Sequence, residues 1–515
     1  MAILGNIIKS ALEFSEKVLP EKSPVEEQKE ELLKILKKAS STSFGKYYGF
    51  NKILKSDDPI KMFREHVPLH DYSQIYDRWW SQQVKGFEDI TWPGKPNYYA
   101  LSSGTTGNQA KRIPVTDDML ASIRKVGIMQ LLSVSNYDLP GDFFEKEIMM
   151  LGSSTDLNDA GDHLEGEISG ISASNIPSWF RGVYRPGNEI ASTDDWDTRL
   201  EKIIEDAPSW DIGAISGIPS WNELMLKSIV KHYNLENIHE IWPGLSVFVS
   251  GGVAFEPYKK SFEQLMGKPI TIIDTYLASE GFLAYQSRPN KDHAMKLAFN
   301  AGIYFEFVPF KEKNIDERGM IKEGSPVYDI GDVEEGVDYA MIISTNSGAW
   351  RYMIGDTIRF TDVERAEIII TGRTKHFLNV VGSQLSVIKM NDAIRQVEEK
   401  FEMAIPEFTV SAVREDDGEY YHHWVIGSDE ERDSTEIGKE IDRYLSESNK
   451  NYEVARGKSL KGLKLRIVPT EVFYDWNEAN KKKGGQVKMP RVMKEDKFKE
   501  YIEFINKRLF NQPGQ

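Results

Sequence analysis

Ser102-Ser103-Gly104-Thr105-Thr106-Gly107-Asn108-Gln109-Ala110-Lys111 is the stretch on which the reading of this chain turns. Its first six residues each carry a hydroxyl or are glycine, and a lysine closes it. Such a loop offers hydroxyl donors, exposed backbone N–H groups and one movable positive charge, which together suit a polyphosphate. It is not a Walker loop, which needs G-x-x-x-x-G-K-[S/T] between a strand and a helix. Residues 96–101 read as one strand and 112–115 as another, so the loop bridges two strands. A helix is predicted to begin only at Thr116, a good N-cap with Asp117 and Asp118 in the first turn. The plain alternative is an ordinary Ser/Gly-rich hairpin loop, and the rest of the chain decides between the two.

Composition narrows the function classes. At 515 residues the chain is long enough for two or three domains. With 40% hydrophobic and 28% charged residues it has a globular balance. A net charge of −16 argues against a general nucleic-acid binder while leaving room for a local basic site. There is no cysteine, so disulfides, cysteine zinc sites and thiolate nucleophiles are excluded. No H-E-x-x-H and no G-x-S-x-G occurs, which weakens metalloprotease and serine-hydrolase readings. At the N-terminus Leu4, Ile7, Ile8, Ala11, Leu12 and Val18 have helical spacing. Lys9, Glu13, Glu16 and Lys17 make the segment too charged for a signal peptide. A helix packed on its own domain is the better reading than a membrane-surface one, and a cytoplasmic protein is expected.

Outward from the loop, the chain changes character twice. A charged helix is expected over residues 26–39, and the aromatic-rich stretch 61–83 reads as core or substrate-domain helix. From Glu147, strands alternate with helices: strands at 147–151, 211–216, 245–249 and 269–274, helices at 194–206 (capped by Thr193), 222–233 and 256–266. That alternation implies a buried, largely parallel sheet with ligands at the carboxyl ends of its strands. Ser250-Gly251-Gly252-Val253 leaves one strand without side-chain bulk, so a flat base can lie against the backbone; a tight turn needing positive φ is the alternative. Tyr276-Leu277-Ala278-Ser279-Glu280 leaves the next with an aromatic plate, a hydroxyl and a carboxylate. Tyr276 can stack on adenine and Glu280 can hold Mg²⁺, a hard ion that takes oxygen ligands; a buried Tyr, an N-cap Ser and a solvated Glu are the alternative.

Residues 295–370 turn β-rich, as an antiparallel or barrel-like subdomain would. Within them lies Trp350-Arg351-Tyr352-Met353-Ile354-Gly355-Asp356, whose ionised aspartate can accept two hydrogen bonds from a ribose diol. Thr371-Gly372-Arg373-Thr374-Lys375-His376 follows the next expected strand. From Phe377 the pattern is a small α/β domain, with helices at 393–402, 434–447 and 498–509 and strands at 408–414, 423–426 and 464–468. Near its end, basic residues crowd around Gly484-Gly485-Gln486-Val487-Lys488-Met489-Pro490-Arg491. This is a solvated lysine loop or a mobile arm that brings Lys488 to a phosphate, with glycines to bend it.

These motifs, in this order, resemble the adenylate-forming superfamily, which includes acyl-CoA synthetases and luciferases. The position of Lys111, with Pro114 beyond it, and Gln486-x-Lys488-x-Pro490-Arg491 resemble more closely its auxin-responsive acyl acid–amido synthetases, the Gretchen Hagen three family, in a bacterial-type form. Asn108, Met353 and Val487 depart from plant sequences, which often carry Gly, Arg and an aromatic residue there. The resemblance implies an α/β fold: a large multi-layer N-terminal domain (1–373, parallel sheets plus a barrel-like β subdomain), a hinge at 374–376, and a smaller mobile C-terminal α/β lid (377–515). It implies ATP and Mg²⁺. Ser102, Ser103, Gly104, Thr105, Thr106, Gly251, Gly252, Val253, Tyr276, Ser279, Asp356 and Arg373 would contact nucleotide, Glu280 the metal, and Lys111, Glu280 and Lys488 would serve catalysis.

The implied reaction is adenylation of a small carboxylic acid with release of pyrophosphate, then transfer of the acyl group to an amino acid with release of AMP. No protein nucleophile is required, so the absence of cysteine is no obstacle. Candidate acid-pocket walls are Trp179, Phe180, Arg181, Tyr184 and Trp221, aromatic walls suiting an apolar or aryl acid; ordinary packing is the alternative. Two rival functions stand beside this one. In an acyl-CoA ligase, coenzyme A is the second nucleophile; a silent relative would bind nucleotide or acid without chemistry. No nucleic acid and no stable membrane association are expected.

Overall fold

A computed structural model describes residues 22–102, 110–178, 180–252, 255–311, 313–316, 319–374, 377–378, 385–415, 419–458, 460–480 and 489–510. The expected helix over residues 1–19 lies outside them. The chain divides into two compact units. The first comprises Met1–Ala254, Leu265–Asn314 and Lys322–Ile370; the second comprises Phe255–Gln264, Ile315–Ile321 and Thr371–Gln515. Among the described residues no helix is long and apolar enough to cross a membrane.

The strands in chain order are β1 (Tyr98–Ser102), β2 (Lys111–Val115), β3 (Glu147–Leu151), β4 (Asn158–Asp159), β5 (Leu164–Gly166), β6 (Tyr184–Arg185), β7 (Ile212–Gly217) and β8 (Val247–Gly251). Then come β9 (Thr271–Ala278), β10 (Gly281–Tyr285), β11 (Met295–Leu297), β12 (Ile303–Pro309), β13 (Asp338–Thr345), β14 (Tyr352–Asp362) and β15 (Glu367–Arg373). A small sheet runs β2-β1-β5-β4, and an 11-stranded sheet runs β12-β13-β14-β15-β11-β10-β9-β8-β7-β3-β6.

The large sheet has two halves. β6, β3, β7, β8 and β9 are parallel, and helices Trp196–Asp206 and Pro219–His232 lie in the chain between its strands. The first of these helices starts two residues later than expected. Its cap is Asp195 and not Thr193, because the Asp195 carboxylate accepts the Thr198 N–H at 2.8 Å. Beyond β9 the chain reverses into β10, and pairs β10–β11, β11–β15, β12–β13 and β13–β14 are antiparallel. The β-rich stretch 295–370 is thus the antiparallel half of the same sheet. It is strongly curved. Four strand steps separate β9 from β14, about 19 Å on a flat sheet at 4.8 Å per step, yet the Tyr276 hydroxyl of β9 donates to the Asp356 carboxylate of β14.

Helix Pro24–Ala39 closes one edge of this sheet. Ser23 and Glu26 form a capping box at its start, and Leu32, Ile35, Leu36 and Ala39 make a buried stripe. Its Gln28 side chain donates to Ile303 O at 3.0 Å and accepts from Phe305 N at 2.7 Å, satisfying the free edge of β12 as a neighbouring strand would. The aromatic-rich stretch becomes helices Pro59–His66, Tyr72–Ile75 and Ser81–Val84 around a π-helical turn, Tyr76–Trp80. Its Phe63, Trp79 and Trp80 are buried in the first unit's core.

In the second unit a short hairpin, β16 (Phe377–Leu378) with β17 (Leu385–Ser386), precedes a three-stranded sheet. That sheet contains β18 (Glu407–Arg414), β19 (Tyr420–Gly427) and β20 (Leu460–Val468), in that order. Alternating residues face opposite cores, as a strand's period of two requires. Phe408, Val410, Ala412, Trp424 and Ile426 pack with helices Val387–Phe401, Ser434–Ser448 and Lys450–Lys458. Val413, Val425 and Val468 pack with helices Glu471–Ala479 and Glu495–Phe510. The Lys450–Lys458 and Glu471–Ala479 helices are additions to the sequence expectation.

Candidate active site

The stems of the Ser/Thr/Gly loop form an antiparallel pair that brings Ser102 opposite Lys111. Ser103, Gly104, Thr105 and Thr106 lie outside the described residues. Lys111 Nζ sits 5.4 Å from the centroid of the Tyr72 ring, a cation–π arrangement. The Tyr72 hydroxyl accepts the Arg112 N–H at 2.9 Å, and burial pushes its pKa up to about 12. Arg112 Nε donates to Glu165 Oε1 at 2.5 Å, and His163 Nε2 lies 3.1 Å from that oxygen. Burial works to raise the Glu165 carboxyl, but the Arg112 and His163 hydrogen bonds outweigh it and hold the group below its usual range. Lys111 therefore stands on a stem braced twice at Arg112, by Tyr72 on its backbone and by Glu165 on its side chain. From sequence Tyr72 is only one aromatic residue of the stretch 61–83, and Glu165 and His163 do not stand out, because nothing local in sequence ties the three to residue 111.

On the large sheet, Ser250, Gly251 and Gly252 lie at the carboxyl end of β8. Gly252 has φ +85°, so the bare backbone there is a conformational requirement as well as an opening. Val253 lies outside the described residues. Tyr276 sits within β9, which runs four residues beyond its expected end, to Ala278. Its ring is buried and its hydroxyl holds the half-buried Asp356. Ser279 and Glu280 form the turn from β9 to β10, and Glu280 is buried. No helix follows, so Ser279 is not an N-cap. Gly251 pairs with Thr275, one residue before Tyr276. Glycine backbone, aromatic ring and acidic turn thus share one region of sheet edge. Among the described residues no group of three or more His, Cys, Asp or Glu is placed to hold a metal ion.

The remaining residues fall elsewhere. Arg351, which the motif retains, is buried at φ +44°; its Nε donates to Glu306 Oε2 at 2.9 Å and its Nη1 to Val67 O at 2.7 Å. It is a cross-brace for the start of β14. Arg373 is exposed at the end of β15 and Thr374 is buried, while Lys375 and His376 lie outside the described residues. Lys488 lies outside them too, but the residues directly after it are anchored. Pro490 O accepts from Thr409 Oγ1 at 2.7 Å, and Arg491 Nη1 donates to Glu407 Oε2 at 2.8 Å. The Tyr258 hydroxyl donates to the other oxygen of Glu407 at 2.5 Å. Of the acid-pocket candidates, Trp179 lies outside the described residues and Arg181 is exposed. Tyr184 is buried, and Trp221 packs edge-on against Trp196 with ring centroids 4.4 Å apart. The buried arginine of this region is Arg199, which sequence reasoning missed because it lies in an ordinary charged helical pattern.

Comparison with known proteins agrees with this architecture. The GH3 family N-terminal domain matches residues 16–201, its central domain 297–371 and its C-terminal domain 389–497. An indole-3-acetic acid-amido synthetase GH3.4 of Arabidopsis thaliana is 25% identical over 276 residues, covering 50% of this chain and 45% of that protein. A probable indole-3-acetic acid-amido synthetase GH3.9 of Oryza sativa subsp. japonica is 24% identical over 283 residues, covering 50% and 62%. These matches span about half the length of the curated relatives. Among solved structures, a GH3.15 acyl acid amido synthetase superposes with TM-score 0.77 at 16% identity, covering 97% of this chain and 96% of that one. A 2-hydroxyisobutyryl-CoA ligase superposes with TM-score 0.58 at 13% identity, covering 94% and 91%. The fold is that of adenylate-forming enzymes, and with all three domain matches in sequence order the chain belongs to the GH3 family.

Proposed function

We propose that this protein is an ATP-dependent acyl acid–amido synthetase of the cytoplasm. It adenylates a small carboxylic acid, releasing pyrophosphate, and passes the acyl group to an amino acid amine, releasing AMP. The observation that carries the reading is the Tyr276–Asp356 hydrogen bond. It joins two residues 80 positions apart, each picked out from sequence for one half of adenosine. The residues fit both ATP and Mg²⁺. Gly251 and Gly252 present backbone without side chains at the end of the strand next to that of Tyr276, and Asp356 supplies a carboxylate for ribose hydroxyls. Mg²⁺ on a nucleotide takes one or two carboxylates plus phosphate oxygens, so Glu280 alone suffices and no three-acid cluster is required. When bound, the ion would neutralise phosphate charge.

The chain's own residues act by position and by field. Ser102 and the loop hydroxyls of Ser103, Thr105 and Thr106 donate to phosphate oxygens, with Gly104 letting the backbone approach. Lys111 adds a positive charge, held forward by the Tyr72 ring. Gly251, Gly252 and Val253 line the base, Ser279 and Arg373 flank the nucleotide, and Lys488 brings a second ammonium to the α-phosphate. The acid's carboxylate then attacks that phosphorus and pyrophosphate leaves. Trp179, Arg181, Tyr184 and Trp221 remain the proposed acid contacts. The domain scheme 1–373, 374–376 and 377–515 belongs to this proposal, as the lid must deliver Lys488.

The fold shared with a 2-hydroxyisobutyryl-CoA ligase favours coenzyme A as the alternative second nucleophile. The first step is tested by ATP–pyrophosphate exchange against aryl, indole-type, fatty and aminobenzoic acids. Exchange should require both an acid and Mg²⁺, and Glu280→Ala should lower it at least tenfold at limiting Mg²⁺ while leaving the fold intact. Wild-type rates in that variant at low Mg²⁺ would remove Glu280 from the metal. No exchange with any acid would leave a nucleotide-binding protein without this chemistry.

A further inference from the structure

Two strands along the same edge from Gly251 lies a second set of buried polar atoms. Arg199, on helix Trp196–Asp206, is 6% exposed. Its Nη1 donates at 3.2 Å to the carbonyl of Gly152, the residue just beyond β3. Its guanidinium lies 5.3 Å from the centroid of the Trp196 ring. Its Nε is buried with no hydrogen-bond partner among the described residues. Burial is the largest influence on this group and draws it below the ordinary arginine value, with Tyr184, Asp194 and Glu167 opposing through their fields. The Glu167 carboxylate accepts a hydrogen bond from Ser153.

Asn222, on helix Pro219–His232, is fully buried; its Nδ2 donates to Ile218 O at 3.0 Å, while its Oδ1 has no partner among the described residues. It lies over Gly217, the last residue of β7, at φ +142°. A Cβ there would come within 2.8 Å of Asn222 Nδ2 and 2.4 Å of Leu151 O, so glycine is what lets Asn222 approach. Gly217 pairs with Leu151 of β3 on one side and Ser250 of β8 on the other. Ser250 Oγ is likewise buried with no partner among the described residues. Arg199, Asn222 and Ser250 therefore follow one another across β3, β7 and β8, about 10 Å from first to last at the usual strand spacing.

Buried polar groups are normally satisfied, and a buried guanidinium normally meets an anion. Here an unmatched donor at the end of β3 and an unmatched acceptor at the end of β7 are one strand apart, the complement of a carboxylate and an ammonium or amine on one small molecule. We propose that this edge is the binding site of the amino acid substrate. Arg199 takes its α-carboxylate, Asn222 Oδ1 accepts from its nitrogen, and Trp196, against the Arg199 guanidinium, walls the site. The order of the strands sets the polarity. The carboxylate is farthest from the nucleotide end, and the nitrogen points toward Ser250 and Gly251. This rests on the amido-synthetase reading and names where its second substrate binds. A dicarboxylic acyl acid also carries a free carboxylate, but it leaves the Asn222 acceptor unmatched.

Two measurements test it. In Arg199→Gln, KM for the amino acid in amide formation should rise at least tenfold, while ATP–pyrophosphate exchange with a monocarboxylic acid falls less than threefold. The preference for an amino acid over its carboxamide should shrink by a similar factor. Equal loss in both half-reactions, or an unchanged KM, would overturn the proposal. In the wild-type protein without ATP, tryptophan fluorescence is titrated with each of the twenty amino acids, alaninamide and succinate. A saturable change with an amino acid but with neither alaninamide nor succinate supports the site even if the Arg199 variant fails to fold. A response to succinate equal to that of the best amino acid, or no response to any amino acid, overturns it. The titration is independent of acid activation, so failure of exchange and failure of this site are separate results.

Discussion

Asp356 is held before any nucleotide arrives. The Tyr276 hydroxyl donates to its carboxylate, so the acceptor proposed for ribose hydroxyls is already oriented. A hydrogen bond to a charged group is worth roughly 1.5–3 kcal/mol, so Asp356→Ala should raise the ATP dissociation constant by about 10- to 150-fold. Tyr276→Phe keeps the ring and removes the orienting hydroxyl. It should cost less, about 2- to 10-fold. Calorimetry checks both, and unchanged affinity in Asp356→Ala would remove that residue from the site. Sequence singled out these two residues for separate duties, one to stack and one to accept. Their contact was not legible, because it depends on sheet curvature that no local period encodes. Arg199 makes the same point. Its neighbours in sequence form an unremarkable charged helix, and only burial distinguishes it from the exposed Arg181.

At the scale of elements, the segment carrying Lys488 ends on a firm anchor. Arg491 stacks 4.5 Å over the Phe408 ring and pairs with Glu407, whose other oxygen is held by Tyr258. Breaking a buried pair by removing one partner costs about 3–5 kcal/mol. Arg491→Gln should therefore lower the melting temperature of the second unit sharply. Lys488→Ala should leave stability unchanged and lower exchange far more than ATP affinity. If Lys488→Ala also slows amidation of a supplied acyl-adenylate equally, Lys488 is not specific to adenylation.

Glu398, on helix Val387–Phe401, should make stability depend on pH. Burial raises its carboxyl to about 7, although the Ile405 N–H donating at 2.7 Å and the field of Lys260 oppose the rise. The folded value lies above the ordinary 4.5, so the group costs nothing below that pH; the penalty builds as pH rises from 4.5 towards 7, where only the unfolded carboxyl is ionised, and is constant above 7. Glu398→Gln keeps an acceptor for Ile405. It should stabilise the protein by roughly 1–3 kcal/mol at pH 8 and hardly at all at pH 4.5. Equal shifts at both pH values in urea melts would show that the charge is not the cause.

Over the whole molecule, what was legible was the order of motifs and the change from alternating strands and helices to a β-rich stretch. Both are patterns of local period, and local period survives translation from sequence to fold. Element ends were less legible. β9 ran on to Ala278 because it continues into a hairpin with β10, and the Trp196–Asp206 helix took Asp195 as its cap in place of Thr193. The bracing of Lys111 by Tyr72, Arg112 and Glu165 was not legible at all, since its parts lie 40 and 53 positions from Arg112.

An acid activated on this scaffold should end as an amide. The most direct measurement supplies ATP, Mg²⁺ and an acid active in exchange, together with the twenty amino acids and coenzyme A in separate reactions, and identifies products by mass. The expected product is an acyl–amino acid amide formed in step with AMP, and no thioester. A thioester with coenzyme A and no amide with any amino acid would contradict it.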